Sequence, residues 1–229
     1  MIMTLKASGF RRAAPRVLVV EIGNKATPEV EVSIDVECDL LTAEGYQVCR
    51  ILIPSLCVLP YQGLGAMRNF AVMMARRDRY DWLVLLDNDV LFNGQEVLHR
   101  LFSLQADASI PWFDQSAFPN LRRLSMPMYK RDTGVRLLDW SVQSCVVLSG
   151  HALSLLGPRP FHEQLIYNED EYNWAYARDC GVELVQDTGA VVTLTSQPGR
   201  LWHASFSKPQ FPGLTPPREI DSVPELGQP

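Results

Sequence analysis

The chain has no apolar run long enough to cross a bilayer, no C-x-x-C pair, no internal repeat and no excess of positive charge. Each absence removes a class of function. A membrane-spanning helix needs roughly 20 consecutive apolar residues, and no run among the 229 residues approaches that. The stretch from Met1 to Arg16 carries basic residues but no apolar core and no clear cleavage site, so it does not read as a secretory signal. The five cysteines, at positions 38, 49, 57, 145 and 180, are odd in number and lack the spacing of a zinc site. Several sit in apolar surroundings, as Cys145 does before Val146, Val147 and Leu148. This fits free buried thiols and a cytoplasmic protein. A formal net charge of −5 argues against a general nucleic-acid binder, which needs a basic footprint to displace counterions.

What is present is the composition of a soluble globular protein, 47% hydrophobic and 21% charged, with enough chain to bury a substantial core. Residues 1–15 read as a leader arm. Arg16 to Ile22 is a β-branched apolar run and the first strand, ended by Gly23 and Asn24. A helix should follow, with Thr27 as cap, Pro28 in its first turn, and Glu29 and Glu31 at its positive end. Val30, Ile34, Cys38 and Leu41 form its apolar stripe, and Gly45 stops it. Val48 to Ile53 is the second strand. A loop ending in Gly63-Leu64-Gly65 leads into a helix over about 66–79, with Met67, Phe70, Ala71 and Met74 facing inward.

Next comes Trp82-Leu83-Val84-Leu85-Leu86, unbroken by any polar residue, and then Asp87-Asn88-Asp89. Such a run reads as a buried strand of a parallel sheet. Asn93 and Glu96 are a capping pair for a helix containing Val97, Leu98, Leu101 and Phe102. Strand and helix alternate throughout this half, the pattern of a mostly parallel α/β sheet with right-handed crossovers. Beyond it regularity fades. Ala108 to Phe113 is a short strand, which Pro111 should confine to an edge. Residues 114–138 are mixed and carry a basic cluster of Arg122, Arg123, Lys130, Arg131 and Arg136. Val142 to Leu148 is a strand, and 151–156 a short helix. Asn168-Glu169-Asp170-Glu171 opens a helix running to about Cys180, and Gly181 stops it. Val182 to Val185 and Ala190 to Leu194 read as two strands. Residues 208–229 hold six prolines and read as an arm or tail, which leaves 1–207 as a single domain.

Four features could carry chemistry. Asp87 and Asp89 leave a buried strand at the edge where open α/β sheets bind ligands. Side chains two apart on an extended segment point the same way, and two carboxylates suit a hard cation such as Mg²⁺ or Mn²⁺ shared with a phosphorylated ligand. A strand ending in a polar turn is the plainer alternative. The Gly63-Leu64-Gly65 loop opens a helix whose first turn carries Arg68, a combination that can hold an anion, or is an ordinary loop with a surface arginine. Glu169 and Asp170 are either dipole complements of their helix or include a general base. On a helix they point about 100° apart, so only one can aim at a given acceptor. His203, after Trp202, is a surface or core residue or completes a metal site.

The order of these features resembles nucleotide-sugar glycosyltransferases of the GT-A fold, most closely the family 2 type. The residues that carry it are Gly63-x-Gly65-x-x-Arg68-Asn69, an apolar strand into Asp87-x-Asp89, and the Glu169-Asp170 pair followed by Arg178 and Gly181. The resemblance spans roughly residues 16–204. It implies a Rossmann-like central sheet flanked by helices, an irregular acceptor region, and transfer of a sugar, a hexose by expectation, from a nucleoside-diphosphate sugar to a hydroxyl. The acceptor is open between saccharide, protein, lipid and modified nucleobase. It further implies that Asp89 binds the Mn²⁺ or Mg²⁺ bridging the diphosphate and that Asp87 contacts the ribose or the metal. Asn88 lies between them. Glu21 and Asn24 would line the base pocket with Arg68 near the diphosphate. Asp170 would be the base of an inverting enzyme, with Glu169 beside it, and His203 a further metal ligand. The segment 122–136 and the loop 195–215 are expected to recognise the acceptor or close over it. The chain departs from the family in two places. Its first strand ends Glu21-Ile22-Gly23-Asn24 instead of in a Pro-(Thr/Ser)-Tyr-Asn run, and a Gln-x-x-Arg-Trp segment is not evident. The alternatives are a sugar-phosphate nucleotidyltransferase, for which Gly23-Asn24-Lys25-Ala26 is a poor phosphate loop, and a non-catalytic protein of degenerate GT-A fold.

Overall fold

The computed structural model describes residues 13–23, 26–54, 64–94, 96–114, 125–130, 134–141, 143–163 and 169–195. The elements in chain order are β1 (Arg16–Ile22), α1 (Pro28–Ala43), β2 (Gln47–Ile53), α2 (Leu64–Arg77), β3 (Trp82–Asp87), β4 (Val90–Phe92), α3 (Val97–Ser103), β5 (Ala108–Asp114), β6 (Ser125–Lys130), β7 (Val135–Ser141), β8 (Cys145–Ser149), α4 (Gly150–Leu156), α5 (Glu169–Asp179) and β9 (Leu184–Leu194).

The described strands form one sheet in the order β2-β1-β3-β8-β5-β9-β7-β6, with β4 paired to β9. β1 runs parallel to β2 and β3, and β5 parallel to β9. The other pairings are antiparallel. Followed through these pairings, β1, β2, β3, β5, β6 and β9 point one way and β4, β7 and β8 the other. The sheet is therefore mixed and mostly parallel, as expected.

The first half follows from the sequence pattern. β1 and β3 are apolar on both faces, and Val17 to Val20 and Leu83 to Leu86 are buried. Such strands need helices on both sides. Passing from β1 to β2 moves one way across the sheet, and passing from β2 to β3 moves back past β1. With right-handed crossovers the two helices must take opposite faces. α1 accordingly packs on β2, β4 and α3, and α2 on β1, β3 and α4. The reversal leaves a crevice at the carboxyl ends of β1 and β3, where open α/β sheets hold ligands.

Several expectations are corrected. Phe70 on α2 is 53% exposed instead of facing inward. Thr27 occupies the N-cap position of α1 but makes no side-chain capping bond. The Asn93–Glu96 capping pair does not form, because Glu96 adopts the left-handed region at φ 66° and caps nothing. Instead the buried carboxylate of Glu37 on α1 accepts from the Leu98 amide at 2.8 Å. A side chain from another helix thus meets the positive end of α3. β5 lies in the middle of the sheet rather than at an edge. Pro111 is tolerated because β8 pairs only with Ala108 and Ser109, and the ladder to β9 shifts register right after Pro111. The two strands expected over 182–194 are one, β9. The strand expected over 142–148 is confined to β8, preceded by β7, while β4 and β6 carried no recognised signal.

Candidate functional site

β3 ends at Asp87, and residues 88–89 form a turn into β4. The alternation that would put Asp87 and Asp89 on one side of a strand therefore stops at Asp87. Ile22 of β1 is in register with Asp87, and the Asn88 amide donates to the Ile22 carbonyl at 3.2 Å. The Asn88 side chain lies over Gly23. A Cβ at Gly23, where φ is 131°, would stand 2.6 Å from Asn88 Oδ1, so glycine is required there for close approach as well as for backbone angle. Asp87, Asn88 and Asp89 are half-buried, and Asp87 and Asn88 lie against the end of β1. The Asp89 carbonyl accepts from the Thr195 amide at 2.8 Å, which ties this turn to the end of β9.

Arg68 is the fifth residue of α2, not part of its first turn, and it is 2% exposed. A guanidinium so buried must be paired. Its Nη2 donates to Asp87 Oδ1 at 3.3 Å and to the Gln143 carbonyl at 3.4 Å, and its Nη1 donates to Gln143 Oε1 at 3.0 Å. Asp170, in the first turn of α5, stands 3.8 Å from the same Nη1. One buried cation thus lies between the carboxylate at the end of β3 and a carboxylate at the start of α5. Their side chains are 20% and 23% exposed.

The neighbouring side chains fix these elements. The Asn69 amide donates to the Phe161 carbonyl at 2.7 Å and to Glu163 Oε1 at 3.0 Å, and its Oδ1 accepts from the Phe161 amide at 2.8 Å. Gly65 has His162 so close that a Cβ there would lie 2.1 Å from the His162 carbonyl oxygen. Asn173 on α5 donates to Gln143 Oε1 at 3.1 Å and accepts from the His162 amide at 2.9 Å. A cavity of about 270 Å³ opens beside this layer, lined by Asn69, Phe161, His162, Glu163, Tyr172 and Tyr176 among others. The His162 ring meets Tyr172 edge-on at 5.1 Å, and burial pushes its pKa down, so the imidazole is neutral at neutral pH.

Glu21 is buried and ion-paired with Arg50 of β2, which also reaches Asp35 of α1. Its carboxylate is thereby engaged in joining β1, β2 and α1. Of the basic cluster, Arg136 lies over the Trp112 ring at 5.2 Å. Arg122, Arg123, Arg131, Asn24, His203, the 208–229 arm and the side chain of Glu169 lie outside the described residues. Gln143, Asn69 and Asn173 were missed as site residues. Asn69 had a signal, since it completes the Arg68-Asn69 pair, whereas nothing in the sequence around Gln143 singles it out.

Among the described residues no three His, Cys, Asp or Glu side chains converge into a metal cage. Asp87 and Asp89 are half-buried carboxylates at the end of β3 and in the turn that follows, and carboxylates are the protein ligands that Mg²⁺ accepts beside water and substrate phosphate. No described helix is long and apolar enough to cross a membrane.

No protein-family model and no curated protein matches the sequence. Solved structures do match in fold. A197 from STIV aligns over 79% of this chain and 86% of its own, at TM-score 0.53 and 12% identity. A Drosophila beta-1,4-galactosyltransferase 7 mutant, complexed with manganese, UDP-Gal and xylobiose, aligns over 86% of this chain and 77% of its own, at TM-score 0.50 and 13% identity. GalNAc-T7 with UDP, GalNAc and Mn²⁺ aligns at TM-score 0.48 and 11% identity, and this chain covers 45% of its length. The architecture is a GT-A-like glycosyltransferase fold. At these identities the likeness defines the fold, and what the chain does must be argued from its own site.

Proposed function

We propose that the protein is a metal-dependent glycosyltransferase that moves a sugar, a hexose by expectation, from a nucleoside-diphosphate sugar to a hydroxyl acceptor. The observation that carries this reading is the convergence on Arg68. Three segments remote in sequence bring Asp87, Arg68 and Asp170 together beside the crevice between β1 and β3. A structural ion pair needs only one of the two carboxylates.

In this reading Asp89 and Asp87 hold Mn²⁺ or Mg²⁺, with His203 a further ligand. The cation, when bound, would stabilise negative charge on the departing diphosphate. Asn24 and the end of β1 border the nucleotide. Arg68 holds Asp87 in place and adds positive charge behind the diphosphate. If the enzyme inverts, Asp170 accepts the proton of the acceptor hydroxyl as that oxygen bonds to the anomeric carbon and the bond to the diphosphate breaks. Glu169 stands beside it, and the segment 122–136 and the loop 195–215 recognise the acceptor. The domain spans 1–207, with 208–229 an appended arm.

The test is a screen of UDP-, GDP- and other sugar nucleotides with Mn²⁺, read by thermal shift and by release of nucleoside diphosphate. A true donor at 100 times its Kd adds about 2.7 kcal/mol, a rise of roughly 5–10 °C for a chain of this size. Asp89→Ala should abolish the metal-dependent part of that rise. Asp170→Asn should cut turnover sharply and leave donor binding nearly intact. No metal-dependent stabilisation by any nucleotide would overturn the reading.

A further inference from the structure

We infer that Gln143, on the turn between β7 and β8, is a positioning residue that sets the distance between Arg68 and the helix carrying Asp170. This role rests on the glycosyltransferase reading above. Arginine has donors only, so the Gln143 atom facing Arg68 Nη1 at 3.0 Å must be the amide oxygen. That oxygen also receives Asn173 at 3.1 Å, so the Asn173 amide must turn its nitrogen toward it and its oxygen toward the His162 amide. The orientation of both amides follows from the charge of one buried arginine. Gln143 is 2% and Asn173 3% exposed, so water cannot replace either bond without entering the core.

The geometry explains why this residue, and not the helix alone, places Asp170. α5 is fastened at three points, two on β7 and one just after it. Arg178 donates to Asp139 at 3.1 Å, the Trp174 indole to the Ser141 carbonyl at 2.6 Å, and Asn173 to Gln143. The first of these is exposed and far from Asp170, and the last is buried and lies one turn from it. Gln143 is also the member that reaches α2. Removing its side-chain oxygen leaves Arg68 bound to Asp87 and to the Gln143 carbonyl, but it removes the acceptor that joins Asn173 of α5 to Arg68. The carboxylate end of β3 should keep its place while Asp170 drifts. Displacement of a reacting group by about 1 Å can cost on the order of 100-fold in rate.

The experiment uses the full chain and the donor found by the screen. Gln143→Met, which has similar volume and no strong acceptor, and Asn173→Asp, which sets two acceptors against each other, should each lower turnover by at least about tenfold. Nucleotide affinity should stay within about threefold. Gln143→Glu keeps an acceptor oxygen for both partners and should hold turnover within about threefold of wild type. Asp139→Asn, at the exposed end of the same stretch, should change turnover less than about twofold. If Gln143→Met does not fold, the contrast between Asn173→Asp and Gln143→Glu decides the matter. The role is overturned if Gln143→Met turns over within about twofold of wild type, if affinity falls in parallel, if Gln143→Glu is as impaired as Gln143→Met, or if Asp139→Asn is equally impaired. A wild-type protein with no donor turnover refutes the glycosyltransferase reading and this role with it. An active wild type with an unimpaired Gln143→Met refutes the role alone.

Discussion

Replacing Arg68 by methionine tests whether the carboxylates of the crevice depend on one buried cation. Methionine keeps much of the apolar stem, so the change isolates the guanidinium. The hydrogen bonds to Asp87 Oδ1, Gln143 Oε1 and the Gln143 carbonyl disappear, together with the 3.8 Å approach of Asp170. Removing one member of a buried ion pair costs about 3–5 kcal/mol, because the partner's charge is left uncompensated. Here the partners' side chains are 20% and 23% exposed, so water can reach both, and Gln143 retains Asn173. The expected loss is therefore at the low end, about 3 kcal/mol. For a chain of this length that lowers Tm by roughly 6–12 °C. Urea unfolding followed by circular dichroism gives the free energy, and a thermal scan gives Tm. A second substitution checks the cause. If the orphaned Asp87 charge is part of the loss, Asp87→Asn added to Arg68→Met should recover about 1 kcal/mol instead of adding to the damage. A single-variant loss below about 1 kcal/mol, or strictly additive losses in the double variant, would refute the reasoning.

Other perturbations follow from the same contacts. Gly65→Ala should destabilise by about 1–3 kcal/mol, because its Cβ would press on the His162 backbone, which has no flexible end to move aside; an unchanged urea midpoint would contradict this. Glu37 has its pKa raised by burial, so between its unfolded value of about 4.3 and the higher native value the folded chain binds more protons than the unfolded one. Stability that Glu37 supports at low pH is then lost as pH rises through that window. Urea titrations at a series of pH values should show Glu37→Gln gaining relative to wild type as pH increases from about 4 to 8; a constant or falling difference would refute the assignment. Burial pushes the Cys145 thiol up strongly and Cys38 up to about 12. A thiol reagent should therefore label exposed Cys49 in the native protein and reach Cys145 only after unfolding, as peptide mapping would report.

The sequence by itself determined the first half of the fold and the place of the Asp87 motif. Long apolar runs such as Trp82 to Leu86 can be satisfied only between two helical layers. The Pro28 start of α1 and the stripe through Val30, Ile34 and Leu41 are local signals carried by neighbouring residues. A run that ends in aspartates puts them at a strand's carboxyl end whatever the rest of the chain does. The second half was decided by partners far away in the chain. Pro111 argued for an edge, yet β5 is central, because β8 stops short of the proline and β9 bulges beside it. Glu37 was not singled out in the sequence, yet it is buried against the amide end of α3. Asp170 by itself read more readily as a dipole complement, and its approach to Arg68 is what joins it to the crevice. Gln143 carried no signal at all, because its importance lies in two donors, Arg68 and Asn173, that converge on a single oxygen. Local periodicity specifies which face of an element is buried. Which polar groups meet inside is set when remote segments pack, since each buried donor must then find its acceptor.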